Sequence, residues 1–258
     1  MHPNKFFSII IACKNSTKTI RKTLHSLKSQ KFKNYEIIAV DSSNNLQTIN
    51  IIRMYNSNAK IIKIFNASLY EALNVGVRNS RGRYIFFLHT DDSLYSPEVL
   101  LKVFNQIGNS DAAYGNIKII NNQLQTIRKW KDNFFFKKSF KFGWHPPHTS
   151  LFVKKRLFSS YGLFKTKYHI SGDYDLMLRF FFIKKIKLKY LNHYINNMRA
   201  GGLSTANWYS SVKSNIECWK IWKSYNFKFS FFTIFLKILL KIFQLNFLRF
   251  FLSFKSRE

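Results

Sequence analysis

The chain has 258 residues, of which 46% are hydrophobic and 18% aromatic. Because this content is sufficient for a buried core, the composition excludes a disordered chain. Forty-two Lys and Arg residues oppose twelve Asp and Glu residues, which gives a formal net charge of +30. Such a charge attracts nucleic acid, an anionic lipid surface or a phosphate-bearing small molecule. High Lys content also arises from genome composition, so the charge alone does not choose among these partners.

The two cysteines exclude several classes of small, cross-linked protein. Cys13 and Cys218 lie far apart and have no metal-ligand spacing. A disulfide framework and a zinc site are therefore not expected, and the usage fits a reducing cytoplasm. The apolar run 6–11 is shorter than the roughly 7–15 residues of a secretory signal core, so we interpret it as part of a buried first strand.

The first half of the chain alternates apolar runs with helix-like segments. Strands are predicted over 6–13, 35–40, 60–65 and 83–89, and helices over 18–29, 46–56, 68–79 and from Ser96-Pro97 onward. This alternation predicts an α/β fold with a central, mostly parallel sheet flanked by helices. In such sheets ligands bind beyond the carboxyl ends of the strands, where Asp41 and the pair Asp91-Asp92 lie.

The pattern changes beyond about residue 111. The remaining predicted elements are strands over 112–120 and 123–130 with a turn at Asn121-Asn122, an irregular stretch 142–152, a helix over 174–183, a loop at Gly201-Gly202 and a helix over 208–225. We therefore divide the chain into a catalytic domain, residues 1–205, and a C-terminal helical tail, residues 206–258.

The segment 227–254 is the most hydrophobic part of the tail. Four basic residues interrupt it: Lys228, Lys237, Lys241 and Arg249. No uncharged run therefore reaches the roughly 18–20 residues of a spanning helix. A polar stripe recurs at helical spacing: Thr233, Lys237, Lys241 and Gln244. The pattern favours an amphipathic helix on an anionic membrane surface, and a core helix or an oligomer contact is the alternative.

In so basic a chain the few acids are informative, above all Asp91 and Asp92. Two adjacent carboxylates at the end of a strand repel each other unless a cation lies between them. Mg²⁺ and Mn²⁺ are held by one or two carboxylates together with substrate phosphates. The alternative is that the two acids form a helix N-cap pair preceding Pro97, because Asp favours helix starts.

Four stretches of the sequence resemble family 2 of the inverting glycosyltransferases. They are Ser8-Ile-Ile-Ile-Ala-Cys-Lys-Asn15, Tyr35-Glu-Ile-Ile-Ala-Val-Asp41-Ser42, the segment from Leu69-Tyr-Glu-Ala-Leu-Asn-Val-Gly76 through Arg81-Gly-Arg to His89-Thr-Asp-Asp92, and Ser171-Gly-Asp-Tyr-Asp-Leu176 with Arg179. The resemblance covers roughly residues 6–205 and rests on the order and spacing of all four. It implies a GT-A fold and transfer of a hexosyl or N-acetylhexosaminyl group.

The resemblance also implies the partners and the roles of individual residues. The donor is a nucleotide-diphosphate sugar, the cofactor Mn²⁺ or Mg²⁺, and the acceptor a glycan or a lipid-linked molecule. Residues on the donor side are Asp41 at the nucleobase, Ala12 and Asn15 in the loop after the first strand, Asn74 and Arg81 in the third stretch, and Asp91 near the ribose. Asp92 is the expected metal ligand, with Asp91 beside it, and Asp173 is the expected general base.

Some positions depart from the family pattern. His89-Thr90 precedes the acid pair, where the family commonly has Asn or Asp. Gly172 replaces a usual Glu, so Asp175 stays open as an alternative base. His148 stands where relatives often carry His and is a candidate acceptor residue; His145 is a weaker one, and a structural role is the alternative for both. Gly201-Gly202 resembles a loop over the donor or a plain turn.

Two other function classes compete with this interpretation. A nucleotidyltransferase needs a glycine-rich phosphate loop after the first strand, and Cys13-Lys-Asn-Ser-Thr17 has none. A nucleic-acid-binding protein would show a recognition motif, whereas here the charge is scattered and no such motif is found. We expect no nucleic-acid partner and a cytoplasmic protein at the inner face of the cell membrane. The oligomeric state stays open.

Overall fold

The computed structural model describes residues 5–131, 137–201, 208–228, 230 and 232–239. The strands are β1 Phe7–Cys13, β2 Tyr35–Asp41, β3 Lys60–Lys63, β4 Tyr84–Phe87, β5 Ser93–Leu94, β6 Ala112–Ile120, β7 Thr126–Trp130, β8 Phe152–Lys154 and β9 Leu188–Arg199. The α-helices are α1 Ile20–Lys28, α2 Gln47–Tyr55, α3 Leu69–Asn79, α4 Val99–Ile107, α5 Arg156–Tyr161, α6 Gly172–Met177 and α7 Trp208–Ser224.

The strands form one mixed sheet in the order β3-β2-β1-β4-β8-β6-β9-β5, with β7 paired to β6. The first four strands of this order are parallel, as the alternation of apolar strands and helices predicts. β8 runs antiparallel to both β4 and β6, β7 is antiparallel to β6, and β9 returns parallel to β6. The α/β fold is therefore confirmed, with a sheet that is mixed rather than mostly parallel.

The two faces of the sheet bury separate clusters, because alternate residues of a strand point to opposite sides. One face packs residues such as Ile10 and Ile38 against α3, α6 and α7. The other packs Ile9 and Ile37 against α1, α2 and α4. Helices thus cover both faces, and this leaves the carboxyl ends of β1, β2 and β4 as the edge where ligands can approach.

Helix α3 shows how local sequence sets these positions. Ser68 caps its first turn: Glu71 donates its backbone N–H to the Ser68 hydroxyl, and the Glu71 carboxylate accepts from the Ser68 amide at 2.7 Å. Gly76 lies against β1, and a Cβ there would stand 2.4 Å from Cγ2 of Ile10. The glycine is therefore required for the close approach of helix and strand.

Some elements differ from the sequence-based predictions. Strand β9 was not predicted, because its run of Lys, Asn and His residues lacks the apolar pattern of a strand. It is nevertheless twelve residues long and lies inside the sheet between β6 and β5. The helix predicted over 174–183 is present, but it begins at Gly172 and continues as π-helical turns over Leu178–Ile183.

Helix α7 packs into the same hydrophobic core as the sheet and helix α6. Its residues Cys218, Ile221 and Trp222 are fully buried in the cluster that contains Tyr174. The indole N–H of Trp222 also donates to the Tyr174 hydroxyl at 2.8 Å. The predicted boundary after residue 205 lies outside the described residues, so the division into two units stays a prediction, although α7 packs on the catalytic part.

The start of the predicted tail also packs against this core. Residues 232–239 are helical, with Thr233 and Ile234 buried. The Lys237 ammonium lies 3.0 Å from the Cys218 sulfur and 4.7 Å from the ring centroid of Tyr174. The first part of the polar stripe therefore faces the protein, whereas Phe232 is exposed. Lys241, Gln244 and the rest of the predicted amphipathic segment lie outside the described residues.

Within the described residues, no helix is long and apolar enough to span a membrane.

Candidate active site

The acid pair follows β4, at the carboxyl edge of the sheet. Asp92 is buried, and its carboxylate accepts hydrogen bonds from the Arg199 amide at 3.0 Å and from the Asn196 side chain at 3.4 Å. Its carbonyl oxygen accepts from the Thr23 hydroxyl at 2.6 Å. Strand β9 therefore holds Asp92 in place, while the neighbouring Asp91 is only half-buried.

The electrostatics of this pair favour a cation. Burial, followed by the charge of Asp91, raises the pKa of Asp92 to about 8. At neutral pH a proton or a cation must therefore offset the two adjacent carboxylates. The described residues contain no cluster of three or more His, Cys, Asp or Glu side chains that could hold a metal alone. A divalent cation here would need further ligands, which the phosphates of a substrate supply in sites of this kind.

Two imidazoles connect the acid pair to Asp173. Nδ1 of His148 lies 3.0 Å from Oδ2 of Asp173, and Nε2 of His148 lies 3.4 Å from Nε2 of His89. His89 precedes Asp91 by two residues, and the charges of Asp173 and Asp92 both raise the pKa of His148. The structure therefore brings the third and fourth resemblance stretches together with His148 at one edge.

The pair of His148 and Asp173 fixes the charge of both groups. Burial lowers the pKa of His148, but the charge and hydrogen bond of Asp173 outweigh it, so the pKa is raised overall. For Asp173, burial raises the pKa, and the charge and hydrogen bond of His148 more than offset that effect, so its pKa lies well below the usual range. Asp173 is thus a carboxylate at neutral pH. His89 behaves oppositely: burial and the neighbouring His148 lower its pKa to about 4.

Tyr70 of α3 supports Asp173 from a second side. Its hydroxyl donates to the carbonyl of Ile170 at 2.7 Å and lies 3.3 Å from Oδ1 of Asp173. The ring leaves no room at the preceding position, since a Cβ on Gly172 would lie 2.8 Å from it. This contact gives a physical reason for glycine where the family usually has Glu.

Asp175 is enclosed in the interior and is not available to a substrate. Its side chain is fully buried, with Lys165 at 3.1 Å and Arg179 at 3.3 Å. The Tyr225 hydroxyl donates to it at 3.0 Å. These contacts tie α6 to α7 and to the π-helical turns. Two cations and a hydroxyl thus surround this carboxylate inside the fold, and the structure does not bring Asp175 to the edge where Asp173 lies.

Glu217 of α7 holds the loop that leads to Asp173. Its carboxylate accepts three backbone N–H groups, from His169 at 3.0 Å, Ile170 at 3.0 Å and Ser171 at 2.8 Å. The sequence analysis assigned no role to this residue. The signal in the sequence was that Glu217 is one of only twelve acids. Its hydrogen-bond partners are set by the packing of α7 on α6, which the sequence does not show.

The loops after β1 and β2 form the other part of the edge. Asn15 is exposed with a positive φ of 51°, and its backbone N–H donates to the Ser43 hydroxyl at 2.7 Å. That hydroxyl donates to Asp41 at 2.6 Å, and Lys63 lies 2.8 Å from the other Asp41 oxygen. Ala12 pairs with Val40 at the strand ends. Asp41 is fully buried, so in this structure it shapes the loop through Ser43 and Lys63.

Other predicted residues lie apart from this edge. The side-chain amide of Asn74 donates to the Phe164 carbonyl at 2.9 Å and accepts from the Phe164 backbone N–H at 3.0 Å. Arg81 precedes β4 and donates its N–H to Glu36 near the start of β2, five residues before Asp41 and on the order of 15 Å from it along the strand. The structure therefore does not bring Arg81 together with the other residues predicted for the donor site, because it lies at the opposite edge of the sheet.

The remaining predicted residues have less defined surroundings. His145 is near the site, with its Nδ1 3.0 Å from the Pro146 carbonyl and its ring packed on Tyr174. Gly201 has a positive φ of 93° in the loop after β9, with open space around it. Gly202 lies outside the described residues, so the loop over the donor stays a prediction.

The family model for glycosyl transferase family 2 matches residues 8–169 of the chain. The chain belongs to this family. A PGL/p-HBAD biosynthesis glycosyltransferase of Mycobacterium tuberculosis is 27% identical over 211 residues, which cover 77% of this chain and 78% of the relative. An uncharacterised glycosyltransferase of Rickettsia prowazekii is 28% identical over 196 residues, covering 72% and 61%. The enzyme is therefore a glycosyltransferase, as the resemblance implies.

Solved structures of Staphylococcus aureus TarS share the fold. Residues 1–349 of TarS in complex with UDP-GlcNAc match with a TM-score of 0.64 and 17% identity, over 88% of this chain and 73% of that chain. A longer TarS structure matches with a TM-score of 0.60 and 18% identity, again over 88% of this chain but only 44% of that chain. The expected GT-A fold is confirmed, and this glycosyltransferase spans less than half of the longer TarS chain.

The charge of Asp173 depends on His148, which gives a testable pH dependence. In His148→Ala, burial acts on Asp173 with less opposition, so its pKa rises and the acid limb of kcat/KM moves to higher pH. The comparison variant is His145→Ala: His145 makes no hydrogen bond to Asp173 and contributes less than His148 to the lowered pKa of Asp173, so a smaller shift of the acid limb is expected. Equal acid limbs in both variants and the parent would contradict this coupling.

The same pair affects stability in a defined pH window. The raised pKa of His148 stabilises the fold below its unfolded-state pKa, and the effect is lost as pH rises through the folded-state value. The lowered pKa of Asp173 stabilises above its unfolded-state pKa, and that effect is lost as pH falls. The stability difference between parent and His148→Ala is therefore largest between roughly pH 4 and 6.5.

Removing the Glu217 carboxylate should impair chemistry more than donor binding. Glu217→Ala leaves three amides beside Asp173 without their acceptor, and a small displacement of a catalytic group costs up to about a hundredfold in rate. We expect kcat for transfer to fall about 10- to 100-fold, with donor Kd unchanged and a smaller loss in Glu217→Gln. Asp111→Asn is the control, since Asp111 also binds several groups, including Lys154, Arg156 and the Lys187 amide. Equal losses of kcat in Asp111→Asn and Glu217→Ala would show a general effect of stability.

Proposed function

We propose that this glycosyltransferase transfers a sugar from a nucleotide-diphosphate sugar to an acceptor hydroxyl with inversion at the anomeric carbon. The observation that supports this reaction is the line from Asp173 through His148 and His89 to the acid pair. The two imidazoles lie between the ionised carboxylate of Asp173 and the acid pair, which is suited to a cation and a diphosphate.

Asp173 acts as the general base in this proposal. Its lowered pKa keeps it ionised, and Tyr70 and His148 hold its two oxygens in a fixed orientation. The carboxylate accepts the proton of the acceptor hydroxyl as that oxygen attacks the anomeric carbon and the nucleoside diphosphate departs. A low pKa makes Asp173 a weak base, so it works by orientation and by stabilising the positive charge that develops on the attacking oxygen.

The donor binds at the loops after β1 and β2. Asn15, Ala12 and Ser43 line this part of the edge, and Lys63 is a cation close to it. The TarS complex with UDP-GlcNAc supports testing uridine diphosphate sugars first. A direct contact of Asp41 with the nucleobase would require Lys63 to move, because both Asp41 oxygens are occupied.

The acid pair fits a divalent cation, Mn²⁺ or Mg²⁺. Asp91 and Asp92 are the residues that would hold it. Burial, followed by the charge of Asp91, raises the pKa of Asp92, and a cation beside the pair would offset both effects. When bound, the cation neutralises the charge that grows on the departing diphosphate. Since the backbone of Arg199 and the Asn196 amide already engage Asp92, Asp91 is the better direct ligand, which reverses the order expected from the sequence.

The acceptor is a glycan or a lipid-linked molecule. The mycobacterial relative carries the name of a PGL/p-HBAD biosynthesis glycosyltransferase. We infer a biosynthetic role for this enzyme too, in making glycans of the cell envelope. We place the enzyme in the cytoplasm, on the inner face of the membrane, where the net charge of +30 attracts anionic lipids. His148 borders the acceptor side, because it contacts the base directly.

Asp173→Asn tests the base. We expect transfer to fall at least about a hundredfold, because removing a general base costs about 10²–10⁴ in rate, with donor affinity little changed. Asp175→Asn should lower the unfolding midpoint and leave kcat of the folded fraction within severalfold of the parent. Proton NMR of the product shows whether the anomeric configuration is inverted. Retention, or a larger kcat loss in Asp175→Asn, would sink this mechanism.

A second experiment separates Asp91 from Asp92 in the dependence on metal. Chelator should abolish transfer by the parent, and added Mn²⁺ or Mg²⁺ should restore it. Asp91→Asn should raise the metal concentration for half-maximal activity by about tenfold or more, the loss expected when a ligand of a hard cation loses its charge. Asp92→Asn should raise it less. Full activity of the parent in excess chelator would exclude the metal site.

A further inference from the structure

Helix α7 carries an exposed apolar stripe along its outer side. Its members are Trp208, Tyr209, Val212, Ile216 and Trp219. They range from 37% exposed for Trp219 to 79% for Trp208. At about 100° per residue they fall within an arc of about 100°, opposite the buried residues Cys218 and Ile221. Monomeric proteins rarely leave so contiguous an aromatic and aliphatic surface in water, so the stripe indicates a binding surface.

Basic residues accompany this stripe. Lys220 and Lys223 are exposed on α7, and the Lys223 ammonium lies 5.4 Å from the ring centroid of Trp219. Glu217 is the only acid of α7, and its carboxylate faces inward, where three backbone amides occupy it. The outer side of α7 is therefore apolar and cationic.

The helix that follows repeats this arrangement. Phe232, Phe235 and Ile238 are exposed, while Thr233 and Lys237 face the protein. Residues 240–258 continue beyond it in sequence with further Phe and Leu residues and four basic ones, Lys241, Arg249, Lys255 and Arg257, against one acid, Glu258. The apolar and cationic character thus extends through the end of the chain.

We propose that the enzyme binds an anionic lipid bilayer through the outer stripe of α7. The inner face of the same helix holds the loop before Asp173. This inference rests on the proposed function and moves the main membrane contact from the terminal segment to α7. Trp and Tyr favour the headgroup region, and Lys side chains reach anionic headgroups from a helix lying in the interface. A second copy of the chain is a poorer occupant, because it would bring the same positive charge against Lys220 and Lys223.

Vesicle binding by the full chain tests the surface. Parent protein should co-sediment with vesicles of phosphatidylcholine and phosphatidylglycerol, bind phosphatidylcholine alone more weakly, and be released by salt. The variant Trp208→Ser, Ile216→Ser, Trp219→Ser should lose at least about tenfold in partitioning, equivalent to about 1.4 kcal/mol. Met54→Ser is the matched control, since this apolar side chain is also highly exposed but lies on α2.

A charge variant provides an independent measurement. Lys220→Glu with Lys223→Glu should weaken binding to the anionic vesicles more than Lys28→Glu with Arg53→Glu, which changes the net charge equally on α1 and α2. Parent-like binding of the stripe variant overturns the proposal. A parent that ignores vesicles but forms dimers, which the stripe variant loses, also overturns it and assigns the surface to a second copy.

Transfer to a water-soluble acceptor separates this inference from the proposed function. No stripe residue lies in the proposed catalytic machinery, so the stripe variant should keep the parent rate with that acceptor. Loss of vesicle binding with retained transfer supports both proposals. Retained transfer together with parent-like vesicle binding rejects only the lipid surface, and absent transfer in the parent rejects only the proposed reaction.

Discussion

A hydrogen bond of 3.0 Å between His148 and Asp173 sets the charge state of the carboxylate that helix α6 presents at the edge of the sheet. Burial alone would favour the protonated acid, and the imidazole reverses that preference. His148 begins the short turn His148–Ser150, which leads into β8. Strand β8 pairs antiparallel with β4, and this pairing brings His148 to its position. The change from a parallel to a mixed sheet thus creates the contact on which the site depends.

Asp173 and Asp175 illustrate how two acids on one helical turn acquire different roles. Asp173 faces Tyr70 and His148 at the edge of the sheet, whereas Asp175 points into the fold toward Lys165 and Arg179. Breaking a buried ion pair leaves an uncompensated charge, so the Asp175 cluster strongly constrains how α6 packs. Asp173, two residues earlier on the same helix, is held instead by Tyr70 and His148.

Helix α7 connects this geometry to the surface of the molecule. Its inner side supplies Glu217 to the loop before Asp173 and Trp222 to the Tyr174 hydroxyl. Its outer side carries the apolar stripe from Trp208 to Trp219. A helix with these two sides connects the loop before Asp173 to an exposed apolar surface. Glu217, one of the few acids in a strongly basic chain, holds that loop through three backbone amides.

The sequence by itself determined the family, the parallel half of the sheet and the location of the acids at its carboxyl edge. Asp41 ends the apolar strand β2 and Asp91 follows the apolar strand β4, so hydrophobic pattern and strand length encode these features locally. It could not determine which acid of α6 lies at the edge of the sheet, because Asp173 and Asp175 differ only in what packs against them. It also could not find β9, whose polar residues lack an apolar pattern but whose Arg199 amide holds Asp92. Arg81 likewise shares a motif with Asp91 and yet lies at the opposite end of β4, since a strand carries its two ends to opposite edges of the sheet. Contacts between residues far apart in sequence, such as Glu217 with Ser171, exist only once the tertiary structure forms.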